Sequence, residues 1–138
     1  MAGYSGTPLA QKLGIKPGSV VAVLNAPGRY EAIVNPLPEG VRTQKAVSAA
    51  TDLVHLFCER RSELARRLKA ITARLRPDAA VWVSWPKKAS KVPTDITEDT
   101  VREVALPLGL VDIKVCAVTE VWSGLKLVVR RENRRRPG

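Results

Sequence analysis

Ser19-Val20-Val21-Ala22-Val23-Leu24, followed by Asn25-Ala26-Pro27-Gly28, decides the fold. The run is apolar and β-branched with no alternation, the pattern of a strand covered on both faces. Asn25, Pro27 and Gly28 then break it. Two runs of the same kind follow, Asp52 to Cys58 and Ala79 to Trp85, the second closed by Pro86. Between them, Ser62 to Leu75 carries Leu64, Leu68, Ile71 and Leu75 at helical spacing, with arginines opposite. Strand, helix, strand in this order argues a parallel sheet built from right-handed crossovers, with helices on both faces.

The rest of the chain extends the pattern. Thr7-Pro8 reads as a helix start, Leu9 and Leu13 share a face, and Gly14 ends the helix. Tyr30 to Val34 is a brief helical piece, and Val41 to Val47 a weaker, more polar strand. A polar connection, Lys87 to Thr97, leads to a helix with Val101, Val104, Ala105 and Leu108 on one face. It is long for a strand-to-helix link and reads as a lid. Asp95 and Glu98 read as the capping pair of that helix. Leu110 to Val121 and Leu125 to Val129 are strands joined through Trp122-Ser123-Gly124, a C-terminal antiparallel hairpin. The fold class is α/β and Rossmann-like. The expectation is one domain over residues 1–130, with residues 131–138 as a basic flexible tail.

The 138 residues carry a formal net charge of +10, which favours anionic partners. No apolar run approaches the ~20 residues of a membrane span, and the first residues lack the features of a secretion signal. The expectation is a soluble, cytoplasmic protein without a membrane partner. Cys58 and Cys116 sit in apolar stretches without metal-ligand spacing and read as reduced core thiols; no metal is expected. His55, between Val54 and Leu56, reads as a structural histidine, because no carboxylate or nucleophile is visibly paired with it.

Ligands of such sheets bind beyond the carboxyl ends of the parallel strands. The residues expected there are Asn25 and Arg29 after the first strand, and Arg60 after the second long one. Trp85, Lys87, Lys88, Ser90 and Lys91 follow the third, and Trp122 and Ser123 come from the hairpin. Cations and hydroxyls beside two indoles suit a small anionic, phosphorylated or aromatic ligand. Trp82, by strand parity, points to the opposite face from Trp85 and reads as core.

The stretches Gly3-Tyr4-Ser5-Gly6-Thr7-Pro8-Leu9, Leu13-Gly14-Ile15-Lys16-Pro17-Gly18, Trp85-Pro86-Lys87-Lys88 and Val121-Trp122-Ser123-Gly124-Leu125 resemble a bacterial domain-of-unknown-function family, number 3052. That resemblance spans nearly the whole chain and implies no particular activity. The strand order, the final hairpin and the start Lys16-Pro17-Gly18-Ser19-Val20-Val21 also resemble a shortened S-adenosylmethionine-dependent methyltransferase domain. That likeness implies a Gly-rich loop after the first strand and an acid ending the second. Here the loop Leu24 to Gly28 has one glycine and a proline, and Val47-Ser48-Ala49 offers no acid. No cofactor is therefore expected.

Three functions fit these residues. The first is a non-catalytic ligand-binding or regulatory domain on a degenerate methyltransferase-like fold. The second is a basic accessory protein that binds RNA, DNA or a ribonucleoprotein weakly and non-specifically. It would use the arginine-rich helix and the tail residues Arg130, Arg131, Arg134, Arg135 and Arg136. The third is an enzyme with a site of unfamiliar kind; no catalytic residue stands out.

Overall fold

The computed structural model describes residues 8–131. Its elements are α1 (Leu9–Leu13), β1 (Val20–Leu24), α2 (Tyr30–Ile33), β2 (Arg42–Gln44), β3 (Leu53–Phe57), α3 (Arg61–Arg74), β4 (Ala80–Pro86), α4 (Glu98–Ala105), β5 (Leu110–Ala117) and β6 (Trp122–Val129). Short 3₁₀ turns at Lys88–Ser90 and Leu106–Leu108 complete the order. The six strands lie in the order β2-β1-β3-β4-β6-β5. β1 to β4 are mutually parallel, and β6 runs antiparallel to both β4 and β5. The α/β reading, with its mainly parallel sheet and closing hairpin, is the observed fold. Among the described residues no helix is long and apolar enough to cross a membrane.

Each face of the sheet has its own core. On the first face α3 contributes Leu64, Leu68 and Ile71, and α4 contributes Val101, Val104 and Ala105, all packed over Leu56, Val83, Leu125 and Leu127. On the second face the short α1 and α2 contribute Leu13 and Tyr30, with Val34 just past α2, over Val21, Phe57 and Trp82. A five-residue helix does not persist alone. Here α1 is held by Trp82, whose Nε1 donates to Leu13 O at 2.7 Å. Gly14 closes the helix in the left-handed conformation at φ 85°, as a C-terminal glycine does.

Several local expectations are corrected. Pro8 is the residue flanking α1 rather than its first turn, and Thr7 lies outside the described residues. β2 is only three residues long and ends at Gln44, so Lys45 and Ala46 belong to the connection that follows. The cap of α4 is Thr97, not Asp95: Thr100 N donates to Thr97 Oγ1, and Thr97 N donates to Thr100 Oγ1. Asp95 instead accepts from Arg61 N at 2.6 Å and so serves the start of α3, while Glu98 pairs with Arg102.

The hairpin turns through residues 118–121, where Thr119 Oγ1 accepts from the backbone N–H of Val121 and Trp122. Trp122, Ser123 and Gly124 are strand residues, opposite Pro86, Trp85 and Ser84. Gly124 is there for packing. A Cβ on it would lie 3.1 Å from both Trp82 Cε3 and Val118 Cγ2.

The Lys87 to Thr97 connection is fastened along its length. Lys87 N donates to Val121 O, Thr94 Oγ1 and Asp95 N both donate to Glu59 O, and Ile96 is buried. Arg134, Arg135 and Arg136 lie outside the described residues, as does nearly all of the proposed tail.

Candidate functional site

The chain leaves β1 toward β2 on one side and has β3 and β4 on the other, so strand order reverses beside β1. Ligands of open α/β sheets settle in the crevice that such a reversal creates. Asn25 occupies it. It adopts φ 63°, a left-handed conformation that asparagine tolerates better than most residues, and its Nδ2 donates to Phe57 O at 2.9 Å. That bond ties the end of β1 to the end of β3.

Beside it lies a cleft of about 500 Å³, walled by the 25–28 loop, Glu31, the end of β2 and Arg67 of α3. The volume is in the range of small-molecule sites. Lys45, one residue past β2, and Arg67 line it together. Glu63 pairs with Arg67 at 3.1 Å; Lys45 has no ion pair among the described residues. Glu31, on the same wall, pairs with Arg29, so Lys45 is the charge of the lining left without a paired opposite.

The expected site residues separate into two groups. Asn25 lines the cleft, and Arg29 lies exposed nearby with Glu31 at 3.7 Å. Lys87, Lys88, Ser90 and Lys91 gather beyond β4, two strand spacings or about 10 Å away. Ser123 pairs in register with Trp85 at that far end. Ser90 Oγ donates to Lys87 O at 2.6 Å, which shapes the 3₁₀ turn. Arg60 is exposed at the start of α3.

The two indoles do not form a shared surface. Trp85 is 6% exposed in the first-face core, and Trp122 is 9% exposed in the second-face core, edge-on to Phe57. Strand parity separates them: Trp85 pairs with Ser123, so Trp122 faces the other way. Trp82 is fully buried, as its position on the strand indicates.

A second constellation was not visible in the sequence. His55 Nδ1 lies 2.7 Å from Tyr30 Oη, and His55 Nε2 lies 2.7 Å from Ser84 Oγ. The three residues come from α2, β3 and β4, and only the fold brings them together. His55 and Ser84 are wholly buried. Desolvation pushes the imidazole pKa down to about 3 and raises the Tyr30 phenol above its ordinary value. A neutral imidazole donates through one nitrogen and accepts through the other, so both neighbours are satisfied. This is a polar cross-link within the core: the imidazole and the Ser84 hydroxyl are closed to a substrate, and Tyr30 lies between them and the cleft that it helps to line. The structural reading of His55 stands, with partners added.

The fold has well-defined relatives among solved structures. A protein described as a type 11 methyltransferase from Sulfolobus solfataricus aligns with TM-score 0.63 and 13% identity, over 88% of this chain and 89% of that one. Magnesium protoporphyrin IX methyltransferase (ChlM) from Synechocystis PCC 6803 with bound SAH aligns with TM-score 0.52 and 11% identity, over 82% of this chain and 74% of that one. LepI in complex with SAM aligns with TM-score 0.54 and 14% identity, and this chain spans 39% of its length. No curated protein matches the sequence. At these identities the likeness is one of fold.

The cleft does not fit S-adenosylmethionine. That cofactor carries a sulfonium cation and a ribose diol that calls for an acceptor at the end of the second strand. Here Gln44 Oε1 already accepts from Ser48 Oγ and Thr51 Oγ1, each at 3.2 Å, and the next residue is the cation Lys45. In the loop, Pro27 lacks an N–H, and Gly28 is the one glycine between Leu24 and Tyr30. Calorimetric titration with S-adenosylmethionine should give no saturable signal; micromolar binding would contradict this reading. A family model described as Protein of unknown function (DUF3052) matches residues 10–131, and the chain belongs to that family.

Proposed function

We propose that this domain binds a small anionic, phosphorylated ligand in the cleft at the carboxyl edge of the sheet and performs no chemistry on it. One observation carries the reading: Lys45 stands just past β2, where a ribose-binding domain of this shape needs an acid, and lines the cleft with Arg67. The charge at that position has the sign that attracts a phosphate and repels a sulfonium. Support for a non-catalytic role comes from the Tyr30–His55–Ser84 cross-link. His55 is the chain's only histidine, and it is sealed in the core.

The test is calorimetry with inorganic pyrophosphate and a panel of sugar and nucleoside monophosphates. Lys45 is exposed, so Lys45→Glu should fold normally. It should weaken binding by about tenfold or more, because it replaces an attraction with a repulsion of a kcal/mol or so. Unchanged affinity in that variant would remove Lys45 from the site. A mixed-sequence oligonucleotide belongs in the same panel. Tight binding of the oligonucleotide alone, with a steep salt dependence, would favour the nucleic-acid reading instead.

A further inference from the structure

We infer that the ligand of this cleft is elongated and carries a second anionic group about 10 Å from the first, seated in a groove along α3. The inference rests on the anion-binding reading above and extends it. A second cavity of about 250 Å³ lies between the chain that follows β2 and the flank of α3. It shares Leu24, Lys45 and Arg67 with the cleft, so the two are parts of one depression.

The helix pattern shapes the groove. Arg67, Ala70 and Arg74 follow one another at spacings of three and four residues and therefore share a face. Ala70 is the only small residue of the three, so the ridge drops between two guanidinium groups. Seven residues of helix separate Arg67 from Arg74, a rise of about 10 Å. The floor is apolar, made by Leu24, Val47 and Ile71.

Charge points the same way. Arg66 and Arg74 also line the groove, and neither has an ion pair among the described residues. Glu63, already engaged by Arg67, is the neighbouring acid on that helix. A solvated basic helix needs no floor of its own. Here the cations bracket a narrow apolar strip, in which Leu24 is half-buried and Val47 and Ile71 are largely covered, and the strip opens at one end into the cleft. The ligand class that matches is a phosphorylated compound whose apolar or planar body lies on the strip and whose far end bears a phosphate or carboxylate.

The experiment compares an eight-carbon alkane bisphosphate, long enough to span the ~10 Å from Arg67 to Arg74, with octyl monophosphate on the intact chain. The bisphosphate should bind about tenfold or more tightly, because the second contact is made within the complex already formed by the first. Arg74→Gln should bring the bisphosphate down to the monophosphate's affinity and leave the monophosphate unchanged. Ala70→Leu, which fills the notch, should do the same without touching a charge. Equal affinity of the two probes for the parent protein, with both lost in Lys45→Glu, would overturn the second contact and leave the cleft standing. So would an equal weakening of both probes by Arg74→Gln. No binding of either probe would overturn the cleft reading and the inference with it.

Discussion

Acidification below pH 6.5 should remove about 1.4 kcal/mol of folding stability per pH unit through one imidazole, until about pH 3. His55 is fully buried, and burial alone depresses its pKa from 6.5 to about 3. Between those values the unfolded chain takes up a proton that the folded chain refuses. The unfolded state then binds more protons, so stability rises with pH and falls on acidification. The contribution is complete above pH 6.5 and lost progressively as the pH drops toward 3. At pH 4 the loss from this group is about 3 kcal/mol, a large share of a typical domain's roughly 5–15.

Asp52 and Asp78 add to the effect at the acid end. Hydrogen bonds hold both carboxyl groups below their ordinary value, from Val20 N first and then Arg76 in Asp52, and from Arg76 in Asp78. They are largely exposed, so their share is small. Urea unfolding between pH 7 and pH 4 measures the total. His55→Gln isolates the imidazole: it should be less stable than the parent at pH 7, with a shallower fall toward pH 4. Parallel curves for parent and variant would show that the imidazole is protonated without unfolding, and the sealed cross-link would be refuted.

The same histidine marks a limit of sequence reading. Its burial follows from the all-apolar run around it, but Tyr30 is 25 residues away and Ser84 is 29, on elements that only the crossovers bring together. The sheet itself was legible, because unbroken apolar runs such as Val20 to Leu24 and Val81 to Val83 are too short for a buried helix and suit a strand covered on both faces. The carboxyl edge followed from the same pattern.

The candidate site was less legible, for two reasons. β2 is a three-residue edge strand with a polar sequence, so its end, and with it the place of Lys45, could not be fixed by periodicity. Arg67 lies on the flank of an amphipathic helix, where a cleft-lining cation and a solvated one share the same pattern. The turn expected at Gly124 failed for a similar reason. Trp-Ser-Gly is good turn chemistry, and the need for space beside Trp82 arises only once β4 and β6 are paired.

Trp82→Ala should cost about 5 kcal/mol and free α1 before the rest of the domain unfolds. Trp82 is the largest fully buried side chain among the described residues. Removing a buried tryptophan costs about 3–5 kcal/mol in lost transfer and cavity energy. Leu13 O also loses its donor, a further ~1–3 kcal/mol where the carbonyl stays dry. The loss should be local first, because α1 is too short to survive without its anchor. Trp82→Phe separates the two parts: it keeps a ring against Gly124 and Val118 but deletes the indole N–H, and should cost roughly half as much.

Amide hydrogen exchange on residues 9–13 reads the release of α1, and urea unfolding reads the total. Trp82 and α1 belong to the second face, whereas the groove along α3 lies on the first; the cleft at the carboxyl edge meets the second-face cluster through Val23, Ala26 and Tyr30 and not through Trp82. Anion affinity should therefore survive in Trp82→Ala at temperatures where the domain stays folded. If exchange in residues 9–13 is already fast in the parent protein, or if the alanine variant loses less than about 2 kcal/mol, Trp82 is not the anchor of that face.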